Sequence, residues 1–323
     1  MVLNSNSKKA RIDELAERAA VQDGLDGGGI KDGEGVSLIA SAWARLRRNP
    51  MFIVGAIMVA LIFLVALLAD VLAPHDPTVR YLADKVSRAN NPVPGAEPGY
   101  PLGADDLGRD LLSRLIHGSR NTLIIAFGAT GLAFFGGLVL GTLAGAFGGW
   151  IDSVVMRVVD IMLSLPSLLL AFSIAALFGR GSQTTVIVAI GIAMMPTFAR
   201  LLRGSMMAQR SSDHVLAARS LGVKKSAIVF RHMLPNSLSP VLVQATMVFA
   251  TSIIDAAALS FLGAGNPDDT KPEWGQMLGL AQEYFDTFPH MAVYPALCII
   301  AAALGFTLMG ESLREALDPK SRR

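Results

Sequence analysis

Charge is scarce in this chain. Only 17% of its 323 residues are Asp, Glu, Lys or Arg, whereas a soluble domain carries about 25%. Its own polar surface cannot cover it. Cysteine is scarcer still: Cys298 is the only one, which excludes an internal disulfide and says nothing of redox compartment. The five histidines (His75, His117, His214, His232 and His290) are scattered, without an HExxH pair or a Cys/His ligand cluster. No GxSxG elbow, no glycine-rich phosphate loop ending in GK[ST] and no well-placed pair of carboxylates occurs. Catalysis by this chain therefore finds little support, and any nucleotide that drives it must be bound by another chain. The polar first 36 residues hold no apolar core, which predicts no cleavable signal peptide.

Apolar residues are abundant instead, at 52% with a mean hydropathy of +0.48. They come in blocks long enough to cross a bilayer, for which roughly 18 uncharged residues suffice. The blocks are 51–69, 121–149, 161–179, 182–199, 237–254 continuing past Asp255 to about 263, and 291–310. The chain reads as an all-α integral membrane protein with six transmembrane helices. Around them lie a glycine-rich polar tail at 1–36, too polar to pack, and an interfacial amphipathic helix at 37–50. The first span is 51–70, and an external segment with a helix follows at 71–120. A core of five further spans fills 119–310, and a short tail occupies 311–323. Gly137, Gly141 and Gly145 recur every fourth residue on one face, which predicts close helix packing. Pro166 and Pro196 predict kinks in the third and fourth spans.

Basic residues set the orientation. With both termini inside, only Arg80, Lys85, Arg88, Arg109, Arg114, Arg120, Arg180 and Lys271 of the 28 lysines and arginines fall outside. The stretch "LAARSLGVKKSAIVFRHMLPN" at 216–236 then lies in the cytoplasm, as part of a hairpin at 211–236. Asp213 suits the positive end of its first helix and Gly222 the left-handed residue that ends it. Pro235 predicts the stop of a second helix and a turn into the bilayer. A DNA-binding helix-turn-helix is excluded, because the second helix offers Ile228, Val229, Phe230 and Met233 where base readout needs Arg, Asn or Gln. No nucleic acid partner is expected. What remains is docking: Ala217 and Ala218 keep the first helix slim, and two attached spans would move with it. Asp160 and Asp255 lie inside or at the edge of spans, where an ionisable group marks a pathway or pairs helices; Arg157 and Arg200 are the candidate partners of Asp160.

The hairpin resembles the cytoplasmic "EAA" loop of ABC-importer permeases, through Ala217, Ala218, Gly222, Leu234, Pro235 and Asn236, with Leu216 where that pattern has glutamate. "PLGADDLGRDLLSRLIHGSRNTL" at 101–123, "GGWIDSVVMRVVDIMLSLPSLLLA" at 148–171, "ALSFLGAG" at 258–265 and "LREALDP" at 313–319 are similar to the second permease of dipeptide, oligopeptide and nickel importers. The resemblance implies a type I permease fold in a bacterial plasma membrane, and a heterodimer with a second permease. It also implies two cytoplasmic ATPases that bind ATP and Mg, this chain binding no cofactor, and an external substrate-binding protein. Residues Asp213, Leu216, Ala217, Ala218, Gly222, Pro235 and Asn236 would couple to an ATPase. A helix at 101–120 with Asp105, Asp106, Arg109 and Asp110 would lie near the binding-protein site. The rival class is an autonomous secondary transporter or channel, which would need no docking lever and would place repeats or ion ligands at midplane.

Overall fold

The computed structural model describes residues 43–87, 91–179 and 181–317. The tail at 1–36, most of 37–50 and residues 318–323 lie outside them. Up to Ala44 only Trp43 and Ala44 are described, within a helical turn. The spans all belong to one compact unit, Arg45–Arg323.

Every regular element among the described residues is helical. The first span is α1 (Pro50–Leu67), opened by Asn49, whose side chain accepts the amide N–H of Met51 at 2.9 Å and of Phe52 at 3.3 Å. Pro50 fits there because the first helical N–H has no intrahelical partner anyway. One short turn, α2 (Ala69–Leu72), follows. The second span belongs to α3 (Leu111–Phe147), 37 residues long. At 1.5 Å per residue it measures about 55 Å against a hydrocarbon core of about 30 Å, so its first turns stand clear of the membrane. Then come α4 (Gly149–Leu163), α5 (Ser167–Leu177), α6 (Gln183–Gln209), α7 (Asp213–Ser220), α8 (Lys225–Ile228) and a π-turn (Val229–Met233). The fold closes with α9 (Leu234–Phe261), α10 (Trp274–Leu280) and α11 (His290–Leu317).

Three expectations are corrected. The third span is not one helix: α4 and α5 meet at 98° across the break at 164–166. Pro166 lacks the N–H that would continue the ladder and disfavours helical backbone at Leu165. The 11 residues of α5 reach about 16 Å, short of the roughly 30 Å hydrocarbon core. Among the described residues, five helices are long and apolar enough to cross a membrane, and the bent pair makes up to six. Second, 101–120 is not a helix; 101–110 is irregular and α3 begins at Leu111. Gly103 and Gly108 hold φ of +74° and +80°, which a helix cannot contain. Third, 311–317 is the last turns of α11 rather than a tail. Pro196, by contrast, lies within an unbroken α6.

The glycine stripe does what its spacing predicts. A Cβ at Gly137 would lie 2.3 Å from Phe198 Cβ, at Gly141 2.8 Å from the Ala199 carbonyl oxygen, and at Gly145 2.9 Å from Met206 Cβ. These three positions let α3 and α6 approach backbone to backbone, and packing at that distance is what associates helices where lipid removes the hydrophobic drive. Gly55 and Gly305 make the same close crossing between α1 and α11. The core runs from Ile125 and Ala129 through Ile190, Phe198 and Leu202 to Val215 and Ile228, so the bundle is continuous with α7 and α8.

Candidate functional site

At one end of α3 the chain builds a small device outside the spans. Between α6 and α7 run only three residues, 210–212, and α7 has eight. Its inner face is set by Val215 and Ala218, both buried, while Leu216 and Ala217 face outward. Asp213 occupies the first helical position, where the aligned peptide dipoles favour negative charge. Gly222 has φ +73°. Its N–H bonds the Arg219 carbonyl at 3.0 Å, and the Val223 N–H reaches back to the Ala218 carbonyl at 3.1 Å. That pair of bonds is a Schellman cap. It ends α7 sharply and leaves Leu221, 83% exposed, at the tip.

The second arm departs from the expected form. Pro235 does not stop a helix: Lys225–Phe261 runs as one helical rod, with Pro235 near the start of α9. The π-turn explains how. Leu234 donates to the Val229 carbonyl, one residue further back than in an α-helix. That register shift makes room for the proline ring, which in an α-helix clashes with the carbonyl four residues before it. Asn236 then donates from Nδ2 to the His232 carbonyl at 2.7 Å, and lies 3.3 Å from Nε2 of His214 on α7. Asn236 thus ties the two arms together. Arg210 fastens the base: its Nη2 donates to the Gly145 carbonyl at 2.7 Å and to that of Ala146 at 3.3 Å, the negative end of α3. The hairpin is therefore one short helix fixed rigidly to α3, α6 and α9.

Asp160 bonds Arg200 of α6 at 2.5 Å, both side chains more than half exposed. Beside this pair, Asp152 holds Arg203 by two bonds of 2.8 and 2.7 Å; sequence reasoning missed it, since the partners are far apart in the chain. Asp255 differs. It is buried in α9, and its Oδ2 has no partner among the described residues.

At the other end of α3, the charges at 105–110 turn inward. Asp105, Arg109 and Asp110 are buried, and only Asp106 is partly open. Arg109 donates from Nε to Asp105 at 2.7 Å and from Nη1 to Asp269 at 2.9 Å. Arg114 lies 3.3 Å from the same Asp105 oxygen and donates to the Asp269 carbonyl at 3.1 Å. Asp110 is the N-cap of α3, accepting the Ser113 N–H at 3.1 Å and the Ser113 hydroxyl. Burial, then the neighbouring Asp105 charge, pushes the Asp106 carboxyl up. Burial likewise pushes up the carboxyl of Glu273, while the bond from Arg120 at 2.9 Å holds Asp70 down. Asn121 and Trp274 complete the seam, donating to the Pro272 carbonyl at 2.7 Å and the Leu115 carbonyl at 2.9 Å. Asp269 and Trp274 carried no local signal, because their partners lie on α3 or just before it.

Among the described residues no three His, Cys, Asp or Glu side chains gather as a metal site. Long apolar helices packed on glycine, with a short capped helix beside them, define a multi-pass membrane protein. The chain belongs to the family of binding-protein-dependent transport system inner membrane components, which it matches over residues 137–323. Residues 37–92 match the N-terminal transmembrane domain of oligopeptide transport permease C. The dipeptide transport system permease protein DppC of Alkalihalophilus pseudofirmus is 39% identical over 89% of this chain and 91% of its own length. The di/tripeptide permease DppC of Pseudomonas aeruginosa is 41% identical over 86% and 91%. The glutathione transport system permease protein GsiD of Escherichia coli is 40% identical over 86% and 89%. The fold is similar to an inward-facing structure of the MetNI methionine ABC transporter, with TM-score 0.53, 20% identity, and coverage of 64% of this chain and 96% of that one. The chain is a non-catalytic permease subunit of an ABC importer, with the type I permease fold.

Proposed function

We propose that this permease works in a bacterial inner membrane, both termini in the cytoplasm, and carries small peptides inward together with a second permease. The capped hairpin supports this reading most directly. Its tip presents Leu216, Ala217 and Leu221 outside the spans; three residues join α7 to α6, and the second arm is continuous with α9. One of two cytoplasmic ATPases, which bind ATP and Mg, grips this tip, and closure of the pair tilts α6 and α9. In this reading Asp213, Leu216, Ala217, Ala218, Gly222, Pro235 and Asn236 form the coupling element. An apolar Leu216 makes its contact by burial rather than by charge. Asp255 faces the pathway, and Asp160 serves helix pairing through Arg200. An external binding protein meets the opposite end, where Asp106 is the partly open carboxylate and Asp105, Arg109 and Asp110 hold the surface in shape.

Peptide specificity rests on the dipeptide, di/tripeptide and glutathione permeases that the chain resembles at about the same identity. Reconstitution tests the reading. The chain alone in nanodiscs is expected to bind no nucleotide and move no solute. The assembly with second permease, ATPases and binding protein should hydrolyse ATP faster with a dipeptide present and should import it. Import by the chain alone would identify an autonomous transporter.

A further inference from the structure

Two hollows adjoin the inner side of the hairpin. One, of about 410 Å³, lies between the end of α3 and the hairpin and is lined by Phe147, Arg210, Arg219, Val223 and Lys225 among others. Its lining contains three cations and no acid. The Arg219 side chain has no hydrogen bond or ion pair among the described residues, and the Lys225 ammonium sits 5.5 Å from the centre of the Phe147 ring. The other hollow, of about 440 Å³, shares Ala146, Phe147, Lys225 and Val229 with the first. It runs up the outside of α3 beside α8 and the π-turn, between Leu138, Val139, Leu143 and Phe230. Val139 and Phe230 are 60% and 62% exposed.

A cationic end joined to an apolar trough at the level where spans end has the two-part chemistry of an anionic phospholipid. We infer that this hollow binds one such lipid, its phosphate held by Arg219 and Lys225 and one acyl chain in the trough on α3. Lengths agree. Leu138 to Phe147 covers about 14 Å of helix at 1.5 Å per residue, close to the roughly 15 Å of hydrocarbon in one leaflet. Charge agrees too, since basic pockets at this depth attract anionic headgroups. Lys225 opens α8 three residues after Gly222, so an occupied site braces the base of the hairpin. The inference stands apart from the peptide reading, since it concerns lipid alone.

Native mass spectrometry of the full-length chain in detergent tests it, with phosphatidylglycerol, phosphatidylcholine and inorganic phosphate as probes. Phosphatidylglycerol should bind several-fold more tightly than phosphatidylcholine. The double variant Arg219→Gln/Lys225→Gln should lose at least about tenfold of that affinity, as the loss of two near-surface cations implies. Val139→Trp, which fills the trough and keeps every cation, should weaken it as well. Both variants alter exposed positions, so thermal melting of each should stay near that of the parent. Equal binding of the two lipids would overturn the inference, as would a double variant that still takes up phosphatidylglycerol. Full competition by inorganic phosphate would identify a free-anion site. Release of an ATPase from the assembled complex, with phosphatidylglycerol binding unchanged, would assign the cations to a protein contact.

Discussion

Gly222→Val is expected to abolish coupling without unfolding the bundle. A Cβ at Gly222 would meet no atom within 4 Å, so the substitution creates no clash. Its whole cost is conformational. At φ +73° a residue with a side chain is strained by about 1–2 kcal/mol, and a β-branched one more. The Schellman cap opens to relieve that strain, and the tip no longer points where Leu221 now points. A loss of about 1.4 kcal/mol in the seated arrangement is about tenfold in population. Substrate-stimulated ATPase activity and uptake should fall together by at least that factor, with the helical circular dichroism signal unchanged. Gly222→Asn separates φ from bulk, because asparagine tolerates left-handed backbone, and it should retain most uptake. Equal loss in both variants would show that size at the tip, not the cap, matters.

The second large effect belongs to the opposite end. Asp105→Leu removes the carboxylate on which Arg109 and Arg114 converge, leaving Arg109 with Asp269 alone and buried Arg114 with no carboxylate partner among the described residues. It also strips the acceptor of the Leu107 and Arg109 amides, at 3.0 and 2.9 Å. Removing one partner of a buried ion pair costs about 3–5 kcal/mol, because the remaining charge stays uncompensated. Thermal unfolding in detergent should drop steeply and the yield of monodisperse protein should collapse. Asp105→Asn keeps an acceptor for the amides and should lie between. Asp106→Asn should leave the melting temperature near that of the parent, since Asp106 joins none of these bonds. An Asp105→Leu protein that melts like the parent would show that Asp269 alone compensates both arginines.

Much of this was legible in the sequence wherever the determinant is local. The fourfold spacing of Gly137, Gly141 and Gly145 announced a close crossing, and Gly222 announced its cap. Asp160 pairs with Arg200, one of the two partners its position allowed. The errors share a different cause. Asp105, Asp106, Arg109, Asp110 and Arg114 mix acids and bases as on an exposed helix, yet Asp269, which pairs with Arg109, lies on a loop 160 residues beyond it. No local pattern carries such a contact. Pro166 was visible, but the apolar run at 161–179 masked a full break. Pro235 misled because a π-turn can absorb a proline that an α-helix cannot. Why the Asp255 Oδ2 is buried without a partner among the described residues has no explanation in the packing of α9.

The central claim, that the capped tip is the point at which ATP-driven motion enters the membrane, is tested most directly by crosslinking. A photo-reactive phenylalanine analogue at position 221 should, in the assembled complex under illumination, join this chain to an ATPase subunit. The same analogue at Phe135, 68% exposed on α3, should not. Adducts from position 221 that contain only lipid or this same chain would contradict the account and leave the hairpin a connector.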